Sequence, residues 1–170
     1  LRDFGVDVSG VAVSDKYPTG LVFAILDEER TPRFYFFGDP SADMTIDPAE
    51  VGASALEGAD FLHCGTVSMV GDSARAATRK LMELARGMGV RLSFDPTLRL
   101  HLWKDHGRLR DLSLDVIAGA DLVKLNRDEL EFLTGAGVEE GALDLLDRGA
   151  GLAVVTLGAK GSYWRSARGE

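Results

Sequence analysis

The chain has 170 residues, 45% of them hydrophobic and 27% charged, with 19 Lys and Arg against 27 Asp and Glu for a net charge of −8. This length supports one globular domain with a core of its own, and the acidic balance argues against a nucleic-acid partner, which leaves a basic footprint. The single cysteine, Cys64, excludes an internal disulfide and suits a reducing, cytoplasmic setting, while no apolar run approaches the ~20 residues that span a bilayer, so no membrane partner is expected.

In chain order, Lys16-Tyr17-Pro18-Thr19-Gly20 is a turn signal. Leu21 to Leu26 is continuously apolar, Asp27-Glu28-Glu29 interrupts it, and Arg33 to Phe37 resumes it, which predicts a β-hairpin. Both faces of that hairpin are apolar, so each needs a cover, such as a ligand or a second subunit. Pro48 to Leu56 reads as a short helix with Asp47 as its N-cap and Pro48 at its first position. Phe61 to Cys64 reads as a strand ending at Gly65. The spacing of Ala77, Leu81, Leu84, Ala85 and Met88 predicts an amphipathic helix over 73–88, ended by Gly87 and Gly89. Val90 to Phe94 follows as a strand closing on Asp95-Pro96, then a helix over Leu109 to Ile117 and a strand over Leu122 to Leu125. Asn126 opens a helix that Thr134-Gly135 ends, and Glu139 to Arg148 forms another. Leu152 to Thr156 is a strand, and Gly158 to Gly161 turns the chain into Ser162-Tyr163-Trp164.

Strands alternating with helices predict an α/β fold, a mostly parallel Rossmann-like sheet with helices on both faces. Ligands in such sheets sit beyond the carboxyl ends of the strands, here Gly65, Asp95, Lys124 to Asn126, and Thr156 to Gly158. Asn126 with Glu129 three residues on has the form of a capping box, the first reading of these residues; a single-carboxylate Mg²⁺ site beside phosphates, with Lys124 adding charge, is the alternative. Thr156-Leu157-Gly158-Ala159-Lys160-Gly161 is either a hairpin turn or a glycine-rich turn whose N–H groups approach an anion. Asp95-Pro96-Thr97-Leu98-Arg99 is either a turn start or a carboxylate and a guanidinium presented to a substrate. His63, His101 and His106 have no metal-ligand spacing. No Gly-x-Gly-x-x-Gly follows an early strand, which weighs against a nicotinamide enzyme.

Taken in order, "PTGLVFAIL", "FYFFGDPSADM", "SFDPTLRLHLW", "ADLVKLNRDELEFLTG" and "VVTLGAKGSYW" resemble the middle of a PfkB/ribokinase-family sugar kinase almost end to end. The resemblance is closest to fructokinases, through Pro40-Ser41-Ala42-Asp43 and the Asp-Pro-x-x-Arg segment that runs to Leu102-Trp103. It implies a ribokinase-like domain with a small β lid over the sugar, here lid strands within about 11–38 and an α/β core over about 47–170. It also implies ATP, Mg²⁺ and a small-molecule sugar, while the two-sided apolar hairpin itself suggests a homodimer paired through the lid strands. On this resemblance Asn126 and Glu129 fall on the family's Asn-x-x-Glu motif, Glu129 toward the metal and Asn126 with Lys124 toward the nucleotide. Thr156, Leu157, Gly158, Ala159, Lys160 and Gly161 fall on the ATP-contacting turn. Asp95, Arg99 and the lid residue Phe36 fall near the sugar.

The departures carry expectations too. The family's Gly-Ala-Gly-Asp signature, whose Asp acts as catalytic base, has no counterpart: Gly135-Ala136-Gly137 is followed by Val138 and reads as a helix C-terminal turn. The N-terminal glycine-rich sugar site is absent as well, so the chain is expected to be an internal piece, incomplete at both ends and inactive alone. Gly38 stands where sugar-acid kinases of the family carry a lid arginine, and Thr97 where the family has Asn. This favours a neutral ketose over 2-keto-3-deoxygluconate, because a bound carboxylate needs a cation. A non-catalytic sugar- or nucleotide-sensing domain is the rival expectation.

Overall fold

The computed structural model describes residues 1–28 and 32–167. The expected hairpin forms: β1 (Leu21–Leu26) pairs antiparallel with β2 (Pro32–Phe37), Leu21 opposite Phe37 and Leu26 opposite Pro32. Its β-branched and aromatic residues favour a pleated surface, and Glu29 of the expected polar break lies outside the described residues. Strand structure in this part of the chain begins at Leu21 rather than near residue 11. The hairpin's base is tied down where the Ala42 N–H donates to the Pro18 carbonyl at 2.9 Å. A Cβ on Gly20 would lie 3.0 Å from Asp43 Oδ1, so glycine is what lets the two segments approach.

The second sheet has five strands in the order β3 (Phe61–Cys64), β4 (Arg91–Phe94), β5 (Leu122–Asn126), β6 (Leu152–Thr156), β7 (Ser162–Ser166). The first four run parallel and β7 returns antiparallel to β6. Between them stand α1 (Asp72–Met88), α2 (His106–Ile117), α3 (Arg127–Thr134) and α4 (Val138–Asp147). Alternate strand residues Cys64, Leu92, Phe94, Val123, Leu125, Ala153 and Val155 join Leu109, Ile117, Leu130, Leu133 and Leu145 of the helices in one buried core. The other alternation stays outside that core, half-buried along β5 and β6 and exposed at Phe61 and Trp164. The α/β class and the mostly parallel sheet are as expected. Helices on both faces were expected too, yet among the described residues the core lies on one face. The reason is the strand order: neighbours in sequence are neighbours in space, and same-handed crossovers return every helix to the same side.

Three local expectations change. Pro48 to Leu56 is two 3-10 turns, Pro48–Glu50 and Ala53–Leu56, not one helix, because Gly52 between them is fully extended. Asp47 nevertheless caps as expected, accepting from the Ala49 N–H. Gly87 remains inside α1, and only Gly89, at φ 74°, ends it. Met88 is 43% exposed, while Ala74, Ala77 and Ala85 make the buried stripe of that helix. Gly135 at φ 74° closes α3, and Gly137 begins α4, so Gly135-Ala136-Gly137 is the helix–helix turn that the sequence suggested.

Candidate functional site

Three loops meet at the carboxyl edge of the sheet. Asn126 ends β5 directly beside Thr156 at the end of β6. The loop after β4 is drawn to both its neighbours: Lys124 Nζ donates to Asp95 Oδ2 at 2.8 Å, and the Leu98 N–H donates to Glu129 Oε1 at 2.8 Å. From the other side Thr66, fully buried, donates its hydroxyl and its N–H to the Pro96 carbonyl at 2.7 and 3.0 Å. Gly65 makes that approach possible, since a Cβ there would sit 2.6 Å from the Asp95 carbonyl.

Asn126 and Glu129 form a complete capping box. Asn126 Oδ1 accepts the Glu129 N–H at 2.9 Å, and Glu129 Oε2 accepts the Asn126 N–H at 2.9 Å. The second carboxylate oxygen holds Leu98, so one side chain, 8% exposed, fastens the β5–α3 junction to the loop after β4. Among the described residues no group of three or more His, Cys, Asp or Glu could hold a metal ion. A protein cage for a divalent cation is therefore not what this rim offers. Each carboxylate oxygen of Glu129 keeps a second lone pair, which fits a metal held through water, the usual habit of Mg²⁺.

Asn126, Arg127 and Asp128 on one side and Thr156, Leu157, Gly158 and Lys160 on the other line a cleft of about 260 Å³. Arg127 and Asp128 were not singled out as site residues in the sequence, although their place in the first turn of a helix at a strand end was the available signal. Ala159 and Gly161 belong to the same turn but do not line this cleft. The turn joins β6 and β7 as a hairpin, one of the two readings, and it also forms one wall of a cleft. Leu157 and Gly161 are bonded N–H to carbonyl at 2.8 Å, and Lys160 and Gly161 donate within the turn as well. The turn therefore presents fewer amides to an anion than its glycines suggested.

Lys124 and Arg99 sit differently from the expectation. Lys124, expected beside the nucleotide, does not line the cleft; its ammonium is held by Asp95, whose other oxygen accepts from the Thr97 N–H and hydroxyl at 3.2 and 3.1 Å. Arg99 turns toward the hairpin, its guanidinium 4.8 Å from the Phe34 ring centre. Phe36 reaches the same loop, its ring 5.5 Å from that of His101. Cys64, buried at the end of β3, has its thiol pushed up to about 11 by desolvation.

Comparison with known proteins agrees with this geometry. The model of the pfkB family carbohydrate kinase matches residues 1–170. The chain is 38% identical over 173 residues to Fructokinase-1 of Oryza sativa subsp. japonica, covering 99% of this chain and 54% of that protein. It is 36% identical over 163 residues to Fructokinase-2 of Solanum lycopersicum, covering 95% and 50%. It thus spans about half the length of the curated relatives it matches. Among solved structures, the PfkB protein from Polaromonas sp. JS666 superimposes with a TM-score of 0.87 at 33% identity, over 99% of this chain and 57% of that one. A fructokinase from Vibrio cholerae O395, in fructose, ADP and calcium ion bound form, does so at 0.86 and 30%, over 98% and 54%. The match over all 170 residues makes this chain a member of the pfkB family of carbohydrate kinases.

Proposed function

We propose that the chain is part of an ATP-dependent kinase that phosphorylates a sugar hydroxyl, with fructose as the sugar. The observation that carries this reading is the cleft between the start of α3 and the β6–β7 turn. The relatives named as fructokinases, and the solved structure bound to fructose and ADP, support the choice of substrate and nucleotide.

In this reading the nucleotide phosphates meet Lys160 and the N-terminus of α3, where free N–H groups and the helix dipole favour negative charge. Mg²⁺, when bound, would offset phosphate charge, and Glu129 would hold it through water. Asp95, fixed in direction by Lys124 and Thr97, presents its carboxylate edge to the sugar. Phe36 covers the sugar from the hairpin, which acts as the lid. Phosphoryl transfer depends on such positioning and on a group that deprotonates the nucleophile. No residue of these 170 is assigned that last role, since Gly135-Ala136-Gly137 lies at a helix terminus.

The test measures ADP release by the purified chain with ATP and fructose, alongside calorimetric titration with ADP. Binding without turnover is the expected result. Turnover at the rate of a complete kinase by these residues alone would refute the division of roles, and absence of nucleotide binding would remove the reading altogether. A second reading, phosphorylation of a sugar acid such as 2-keto-3-deoxygluconate, draws on Arg99, a cation beneath the lid. In a complete protein containing this chain, faster turnover on the acid than on fructose would favour it. A protein that bound both ligands and turned over neither would be a sensor.

The outer face of the lid, Leu21, Phe23, Ile25, Tyr35 and Phe37, is exposed and apolar, and we assign it to pairing with a second copy.

A further inference from the structure

Arg99 and His101 stand out because each meets an aromatic ring on the same side of the hairpin. Phe34 and Phe36 are two residues apart on β2, so they share one face. Both are partly buried, whereas their neighbours Tyr35 and Phe37 are 48% and 56% exposed on the opposite face. Opposite Phe34 the Arg99 guanidinium lies 4.8 Å from the ring centre, within the range of a cation–π contact. Opposite Phe36 the His101 imidazole lies at 5.5 Å, tilted by 42°.

The two contacting residues are not on a loose loop. The Leu98 N–H is held by Glu129, and Thr97 is held by Asp95. Residues 100–102 form a 3-10 turn, and the Leu100 carbonyl lies 3.0 Å from His106 Nε2. A two-stranded hairpin is at best marginally stable alone. What it rests on therefore decides where it sits.

We infer that Arg99 and His101 are positioning residues that latch the hairpin, through Phe34 and Phe36, onto a loop whose root is clamped by Glu129. The side chain first read as a substrate contact, Arg99, works through the lid. The placement of the hairpin follows the loop after β4, and that loop follows the capping box at the cleft. The consequence for turnover rests on the kinase reading, but the latch is a property of this chain alone.

Amide hydrogen exchange on the purified chain tests it without turnover. Arg99→Ala with His101→Ala should raise exchange in the peptide covering β2 on the order of tenfold, while β4, β5 and β6 stay protected. His101 is exposed and neither side chain belongs to the buried core. Phe34→Leu attacks the first contact from the hairpin side and should raise the same exchange. Combined with Arg99→Ala it should add nothing further, because both variants break one interaction. Unchanged β2 exchange in Arg99→Ala/His101→Ala and in Phe34→Leu, or fully additive effects of Arg99→Ala and Phe34→Leu, would overturn the latch. In a complete protein, Arg99→Ala and Phe34→Leu should each raise the sugar KM and change kcat less. A latch confirmed by exchange, with no turnover by a complete protein that contains this chain, would leave the latch standing and remove the kinase reading.

Discussion

Glu129 shows how one side chain can serve two demands. As an N3 residue it completes the cap of α3, and as a buried carboxylate it holds the Leu98 N–H across a loop boundary. Replacing it by Gln leaves one acceptor oxygen and turns an NH₂ donor toward one of two N–H donors. Glu129→Gln should lower the stability of the chain by about 1–3 kcal/mol in urea unfolding without any metal present. No change would mean that Glu129 answers only to a ligand. Cys64 gives a second residue-scale expectation. Its thiol is raised from 9.0 to about 11 by burial, so the unfolded chain gives up that proton first as pH rises. The stability it contributes is complete below about pH 9 and is lost as pH climbs toward 11. Alkylation by iodoacetamide at pH 8 should be about a hundredfold slower in the folded chain than in urea, as two pKa units of thiolate suppression require.

At the scale of elements, the rim is assembled by glycines and by alternation. Gly65 lets the end of β3 touch the loop after β4, with room for no Cβ against the Asp95 carbonyl. Gly65→Ala must move backbone rather than a flexible side chain. It should cost about 1–3 kcal/mol in thermal or urea unfolding and should loosen the Thr66–Pro96 bonds in hydrogen exchange. Equal stability would show that the approach relaxes freely. The helix over 73–88 was legible from apolar spacing, since a 3.6-residue period marks one face of a helix. The segment over 48–56 was not, since two adjacent turns separated by an extended Gly52 share the cap and proline signals of a single helix.

On the scale of the molecule, the hairpin turns the apolar face of Phe23, Tyr35 and Phe37 to solvent. If a second copy covers it, the chain should sediment as a dimer, and Phe23→Lys with Tyr35→Lys should return it to a monomer without changing its circular dichroism. A wild-type chain that sediments as a monomer at every concentration would sink the pairing. The open sheet face bearing Phe61 and Trp164 follows from the same global fact as the one-sided helices, an unreversed strand order.

The order of motifs along the chain determined the family, the α/β class, the helix that Asn126 opens, and the turn from Thr156 to Gly161. These are local or sequential properties, and a capping box or a strand-to-turn transition is written in a few neighbouring residues. Tertiary structure alone decided the partners of the charges. Nothing near Lys124 in sequence announces that Asp95 will hold it, and nothing near Arg99 announces Phe34. Those pairings join residues tens of positions apart, and they depend on strand register and on where the hairpin comes to rest. The sequence declares which polar and charged groups stand at the strand ends. Which of them line the cleft, and which hold the structure around it, is settled only when the sheet brings their loops to one edge.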